Sequence, residues 1–288
     1  MVAQFYGDID KFYDLVFPFL LKNEVENGLI LAILNSLKQN IHKYGKDKPI
    51  LLTITQDEEI KLVTLRTPVH DLLISYTDNL DTIEILVESL LKRKEKLPGV
   101  LSFKEAADKF AKMWCEKNTL KYYLLRKERI FKLEQVSEDT LGTRQFCKAS
   151  KQYELIVINW AREMLKEALN EITDQELDRN INNFKVEFEH NTSQIFLLFD
   201  NNKPVSMARK AGKSPNGNAI NLVYTPPSLR RRGYATECVA KLSKQLLEEG
   251  NKFCFLFTDL SNPISNSIYQ KVGYHSVIDE NHYKFELK

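Results

Sequence analysis

The 288-residue sequence predicts an α/β (α+β) fold in two similar halves, and three observations carry that prediction. The length exceeds what one domain usually needs. A balance of 43% hydrophobic and 28% charged residues suits a globular chain with a sizeable core. Each half also presents helices, a hairpin, a strand, a helix and further strand material in the same order, so each sheet carries helices on its faces. The polar stretch "QVSEDTLGT" places the boundary between residues 136 and 137.

In the first half, two N-terminal helical segments precede a hairpin, "PILLTIT" and "IKLVTLR", that turns at Asp57-Glu58. A strand, "DLLISYT", runs into a helix, "DTIEILVESLLKR". "SFKEAADKFAKMWCEK" reads as another helix, opened by a capping box of Ser102 and Glu105. "YYLLRKERIFKLEQV" supplies the closing strand.

In the second half, "RQFCKAS" reads as a short strand. "YELIVINWAREMLKEALNEI" is an amphipathic helix with Ile156, Trp160, Met164, Leu165 and Leu169 on one face. "DQELDRNINNFKVEF" is a second, weaker helix. The hairpin "QIFLLFDNNKPVSMARKA" turns at Asp200-Asn201-Asn202, with Pro204 entering the return strand. "SPNGNAINLVYTPP" gives a loop and a strand. The helix "YATECVAKLSKQLLEEG" follows, with Cys238, Val239, Leu242 and Leu246 inward and Gly250 as C-cap. "KFCFLFT" reads as a strand covered on both faces, "NPISNSIYQKVGY" as a short helix stopped by Gly273, and "HYKFELK" as a last strand.

Forty-one Lys and Arg against 39 Asp and Glu leave a formal charge of +2, so any polyanion patch must be local. Cys115, Cys147, Cys238 and Cys254 show no paired spacing and read as reduced thiols of a cytoplasmic protein, with no metal site. The N-terminus lacks a basic segment and carries acids, unlike a signal peptide. No stretch reaches the roughly 20 apolar residues of a membrane span.

The two halves differ most where a strand enters a helix. In the first, "ISYTDNLDTIEIL" makes the passage through a short acidic loop. In the second, "LVYTPPSLRRRGYATECV" uses a longer loop with three arginines and a glycine. Such a run can be a solvated surface cluster, a nucleic-acid patch or an anion cradle. No aromatic-interleaved basic stripe supports nucleic acid, and a Walker-type loop lacks its Gly-Lys-Ser/Thr. A helix N-terminus presents unpaired N–H groups and a partial positive charge. Gly233 lets a ligand approach that backbone, small Ala235 keeps the next turn open, and Arg231 and Arg232 add mobile charge.

"VYTPPSLRRRGYAT", followed by "TDLSNPISNSIYQKVGY", resembles the GCN5-related N-acetyltransferase (GNAT) family. Arg230, Gly233 and Ala235 match its Q/R-x-x-G-x-G/A signature, and Asn262, Tyr269, Gly273 and Tyr274 match its later Asn…Tyr-x-x-x-Gly-Tyr/Phe segment. The resemblance implies two GNAT-like domains, each a mixed, mainly antiparallel twisted sheet with helices on both faces. Residues 1–136 would be a degenerate copy and residues 137–288 the catalytic one.

The resemblance further implies acetyl-coenzyme A (acetyl-CoA) as co-substrate. Its pyrophosphate would lie on the amides of Arg231, Arg232, Gly233, Tyr234, Ala235 and Thr236, next to Arg230. Leu222, Val223 and Tyr224 would pair with the pantetheine arm like an edge strand. A bulge there would splay the strands and aim the Tyr224 backbone N–H at the thioester carbonyl. Asn262 and Asn266 would bond the pantetheine, and Tyr269 would protonate the leaving thiolate. For the base, neither "NAINLVY" nor "FCFLFT" holds an internal carboxylate. Asp259, just past the latter, is the nearest acid; ordered water with Asn218 or Asn221 is an equal alternative, and His275 and His282 read as structural. The expected activity is direct acetyl transfer to an amine acceptor, small molecule or peptide, by a monomer or homodimer without nucleic-acid, membrane or metal partner. The missing internal base keeps a non-catalytic CoA-binding module as the alternative.

Overall fold

A computed structural model describes residues 1–168 and 172–288, which fall into two compact units. The first comprises Met1–Ile130, Phe257–Asn262 and Ser276–Lys288; the second comprises Phe131–Leu256 and Pro263–His275. No single cut in the sequence separates them.

The first unit contains β1 (Val2–Tyr6), α1 (Ile9–Leu21), α2 (Gly28–Gln39), β2 (Ile50–Gln56), β3 (Glu59–Arg66), β4 (Leu72–Ile74), α3 (Thr82–Lys92), β5 (Gly99–Phe103) and α4 (Lys104–Asn118). Strand β6 (Leu120–Leu133) begins here and runs three residues into the second unit. The strands lie in the order β1-β2-β3-β4-β5, with only β4–β5 parallel. Asp57 and Glu58 take positive φ (51° and 65°), as a tight hairpin whose twist matches its strands requires. Phe12, Val16, Leu20 and Leu34 from α1 and α2 pack on one sheet face, and Leu86, Leu90, Phe110 and Trp114 from α3 and α4 on the other.

Two strands here, β1 and β5, escape the sequence reading, and one cap is corrected. Ser102 lies inside β5, where its Oγ donates to the Ile74 carbonyl at 3.0 Å; helix α4 begins after Phe103 without a side-chain cap. Sheet pairing overrides the local Ser-x-x-Glu pattern.

The second unit adds β7 (Phe146–Lys148), α5 (Glu154–Ala168), α6 (Asp174–Glu189), β8 (Ile195–Asp200), β9 (Lys203–Lys213), β10 (Gly217–Tyr224), α7 (Tyr234–Glu248), β11 (Phe253–Asp259), whose last three residues belong to the first unit, and α8 (Pro263–Val272). Its strands run β7-β8-β9-β10-β11, antiparallel except for β10–β11. The last strand, β12 (His275–Leu287), pairs with β5 of the first unit's sheet over residues that all belong to that unit, from Glu280↔Phe103 to Lys284↔Gly99. The mixed, mainly antiparallel sheet with helices is thus the predicted fold class.

On α5, Val157, Ile158 and Ala161 are the buried positions. The anticipated Ile156, Trp160, Met164 and Leu165 pack half-buried around them, and Leu169 lies outside the described residues. Helix α6 opens with a capping box that the sequence reading missed, in which Thr173 Oγ1 accepts the Glu176 N–H and Glu176 accepts from the Thr173 N–H. Cys238, Val239, Leu242 and Leu246 of α7 are fully buried against the sheet, as their spacing predicts. All four cysteines are free, and burial pushes the Cys238 and Cys254 thiols up to about 12. Among the described residues no helix is long and apolar enough to cross a membrane.

Candidate functional site

The site begins with a strand that leaves its neighbour. β10 pairs with β11 only from Gly217↔Phe253 to Ala219↔Phe255. On its other side, the register with β9 slips between Asn221↔Arg209 and Tyr224↔Met207, so three residue steps on β10 oppose two on β9. Leu222 absorbs the extra residue at φ 51°, a left-handed conformation costing a side chain about 1–2 kcal/mol. A bulge therefore stands where the resemblance placed it. Beyond it, Ser206 Oγ donates to the Tyr224 carbonyl at 3.1 Å and lies 2.9 Å from Thr225 Oγ1. The Tyr224 ring packs 6.2 Å from Trp160, and burial raises its phenol pKa.

The loop after β10 is held by its own first arginine. Arg230 Nε donates to the Thr225 carbonyl at 2.9 Å, and Nη2 meets both Glu167 oxygens at 2.9 and 2.7 Å. Its guanidinium thus pins the loop, whereas Arg231 and Arg232 are exposed. Gly233 forms the N-cap of α7 at φ 80°, with no side-chain bond to the first helical N–H groups. An added Cβ there would meet no protein atom within 4 Å, so the space over this backbone is open.

Beneath that open turn the packing is dense and charged. The buried Tyr234 donates its hydroxyl to Asp200 Oδ2 at 2.5 Å, and the Arg144 guanidinium lies 4.9 Å from its ring. Glu237, only 4% exposed, accepts from Arg144 Nη1 at 2.6 Å and from the Arg144 N–H at 3.0 Å, with Lys241 Nζ at 3.5 Å. Any side chain at Gly142 would collide with that carboxylate. Two cations therefore balance the two acids under the helix start. The sequence offered no local sign of this group, because Arg144 and Glu237 stand 93 residues apart.

On α8, Tyr269 is 9% exposed, its ring 6.2 Å from Phe131 and 6.0 Å from Tyr274. Burial pushes its phenol up to about 12, so it remains a proton donor across the physiological range. Asn266 carries a buried Oδ1 with no hydrogen-bond partner among the described residues. Asp259 caps a turn: its Oδ1 accepts the Ser261 N–H at 2.7 Å and its carbonyl the Asn262 N–H at 3.1 Å. Asn262 is exposed. Asn218 is fully buried, its Nδ2 donating to the Ala211 and Ala219 carbonyls at 3.2 and 3.3 Å, and its Oδ1 also lacks a partner. His282 is engaged, not isolated: its Nε2 lies 2.6 Å from Asp71 Oδ2, which also accepts from Lys284 Nζ at 2.7 Å. Burial alone would raise the Asp71 pKa, but these two bonds outweigh it and lower the value. Among the described residues no group of His, Cys, Asp and Glu could hold a metal.

A sheet that opens at a bulge leads here into an uncapped and basic helix start, an arrangement suited to an anionic group. Residues 156–274 match the model of the Acetyltransferase (GNAT) family, which makes this chain an acyltransferase. No curated protein matches it. Among solved structures it is similar to a Drosophila protein at 11% identity, with 99% of this chain and 98% of that one covered and a TM-score of 0.66. It is similar also to a GCN5-related N-acetyltransferase from Sphaerobacter thermophilus (14% identity, 88% and 84% covered, TM-score 0.56). A GNAT-family acetyltransferase from Colwellia psychrerythraea is a third (13%, 88% and 97%, TM-score 0.54). At such identities these likenesses speak for the fold. The family match covers residues 156–274 of the 288.

Proposed function

We propose that this protein moves the acetyl group of acetyl-CoA directly to the primary amine of an acceptor, in the cytoplasm, as a monomer or homodimer without nucleic-acid, membrane or metal partners. One observation carries the reading most: the bulged end of β10, parted from β11, leads into an α7 N-terminus that is open, uncapped and flanked by exposed arginines.

In this reading the amides from Arg231 to Thr236 hold the pyrophosphate, with Arg231 and Arg232 adding charge and Arg230 keeping the loop in shape. Leu222, Val223 and Tyr224 offer backbone groups to the pantetheine, and the Tyr224 N–H polarises the thioester carbonyl. The unpartnered Asn266 Oδ1 supports a bond from a pantetheine amide, and Asn262 is assigned beside it by its motif position. Tyr269, kept protonated by burial, delivers the proton that the departing thiolate needs. The proposed base is Asp259, one oxygen of which is committed to the Ser261 N–H. Residues 137–288 would carry catalysis, with residues 1–136 as the degenerate copy.

The test is incubation of the full chain with acetyl-CoA and a panel of primary amines, following free thiol and acetylated product by mass. Amine-dependent thiol release is expected. Tight acetyl-CoA binding without any acetylated product would favour a CoA-binding module, and a chain that binds no CoA would overturn the reading.

A further inference from the structure

An amine acceptor arrives as an ammonium ion, and neither β10 nor β11 carries a carboxylate before Asp259. A carboxylate does stand on the sheet face beside the bulge, but a helix supplies it. Arg209 on β9 lies opposite Asn221 on β10 and Ile195 on β8. Directly opposed residues of antiparallel strands share a face, so these three form a row across the sheet. The face is the one under α5 and α6, since Met207 and Tyr224, the next pair along, lie in that core.

Glu187, in the last turn of α6, accepts from Arg209 Nη2 through Oε1 at 2.5 Å. The ring of Phe184 lies 5.3 Å from the same guanidinium. The pair is incomplete. Glu187 Oε2 and Arg209 Nε are buried without a hydrogen-bond partner among the described residues. Leaving a buried polar atom unpaired costs about 1–3 kcal/mol, more when it is charged. Yet both side chains keep about a quarter of their surface exposed (24% and 23%), and Asn221 at the end of the row is exposed. The apolar face thus ends in partly exposed polar side chains, and Asn221 immediately precedes the bulge residue Leu222.

Resting on the acetyl-transfer reading, we propose that Glu187 Oε2 receives the acceptor's ammonium group, with Arg209 holding the carboxylate in place and Asn221 lining the approach. A carboxylate oxygen is an acceptor with lone pairs to give, and a cationic N–H donor forms its stronger bonds. Arg209 occupies only the other oxygen. The bulge beside the row would bring the received nitrogen to the thioester carbonyl.

Two non-hydrolysable thioethers test this: S-(3-aminopropyl)-CoA and the isosteric S-butyl-CoA, titrated calorimetrically into the full chain at neutral pH. Wild type should prefer the aminopropyl compound by roughly fivefold. Glu187→Gln should erase that preference while S-butyl-CoA binds as before, which also shows that the coenzyme site is intact. Should the Gln variant fail to fold, Glu187→Asp, which shortens the same charge by one methylene, should lower the preference and keep S-butyl-CoA binding. No preference in wild type, or a preference that survives these substitutions, would overturn the assignment of Glu187. If neither thioether nor CoA itself binds, the coenzyme reading falls, and with it this inference.

Discussion

Helices α3 and α7 each follow a strand that pairs in parallel with its neighbour, yet their N-termini are finished in opposite ways. At α3 the loop satisfies itself. Thr77 Oγ1 accepts the Asn79 N–H at 3.1 Å, Asn79 Oδ1 the Asp81 N–H at 3.0 Å, and the Asn79 carbonyl the Thr82 N–H at 3.2 Å and the Thr82 hydroxyl at 2.5 Å. Asp78, Asp81 and Glu84 add negative charge. At α7 the cap is a bare glycine and the neighbours are exposed arginines. The strands differ likewise: Ser102 ties β5 to the Ile74 carbonyl of β4, whereas β10 and β11 part after Ala219 and Phe255. The same order of elements yields a closed junction when the loop supplies its own acceptors, and an open, uncapped one when it withholds them.

The contrast breaks most completely if the open junction is filled. Gly233→Glu places a carboxylate where nothing now stands and should abolish CoA binding in calorimetry, with far-UV circular dichroism unchanged. Wild-type affinity in that variant would remove the cradle. Next comes chemistry. Helix α4 follows β5 as α8 follows β11, but α4 carries no tyrosine. Tyr269→Phe, which keeps the ring against Phe131 and Tyr274, should slow single-turnover acetyl transfer by about 10²–10⁴ with acetyl-CoA affinity nearly unmoved. A rate within about twofold of wild type would leave Tyr269 a core aromatic.

A smaller effect separates the units by pH. Burial, and secondarily the charge of Glu128, raises the Glu280 carboxyl to about 8 in the first unit. Its folded-state value thus lies above its unfolded one. Stability is fully present below the ordinary carboxylate range and is lost as pH rises toward 8. The melting temperature should fall by roughly 5 °C between pH 5 and pH 8, and Glu280→Gln should flatten that slope. A melting curve equally pH-dependent in the Gln variant would assign the slope elsewhere. The smallest expected effect is none at all: CoA should slow amide hydrogen exchange at Tyr234, Ala235 and Thr236 and leave Thr82, Ile83 and Glu84 unchanged. Protection at α3 would make the first unit a second coenzyme site.

Local signals were legible where local physics decides. The tight turns at Asp57-Glu58 and Asn201-Asn202 carry the positive φ that their strands' twist demands, and the inward face of α7 follows its 3.6-residue period. β5 was hidden because its penultimate residue is a serine that mimics a cap, and only pairing with β4 and β12 tells strand from helix start. The loop at Gly233 could be read because its parts are contiguous. The Glu237–Arg144 and Glu187–Arg209 pairs could not, being 93 and 22 residues apart on different elements. No periodicity links such partners; the sheet brings them together.

The ownership of β12 has a consequence for how the chain is made. Its residues from Ser276 onward belong to the first unit and supply the antiparallel partner of β5. A ribosome emits residues 1–130 long before residues 276–288, which complete their sheet. Until then β5 is an uncovered edge, open to pairing with other nascent chains. Vectorial synthesis cannot finish the first unit before the second, so a message that stops short of Ser276 would spoil the part of the protein that was translated first.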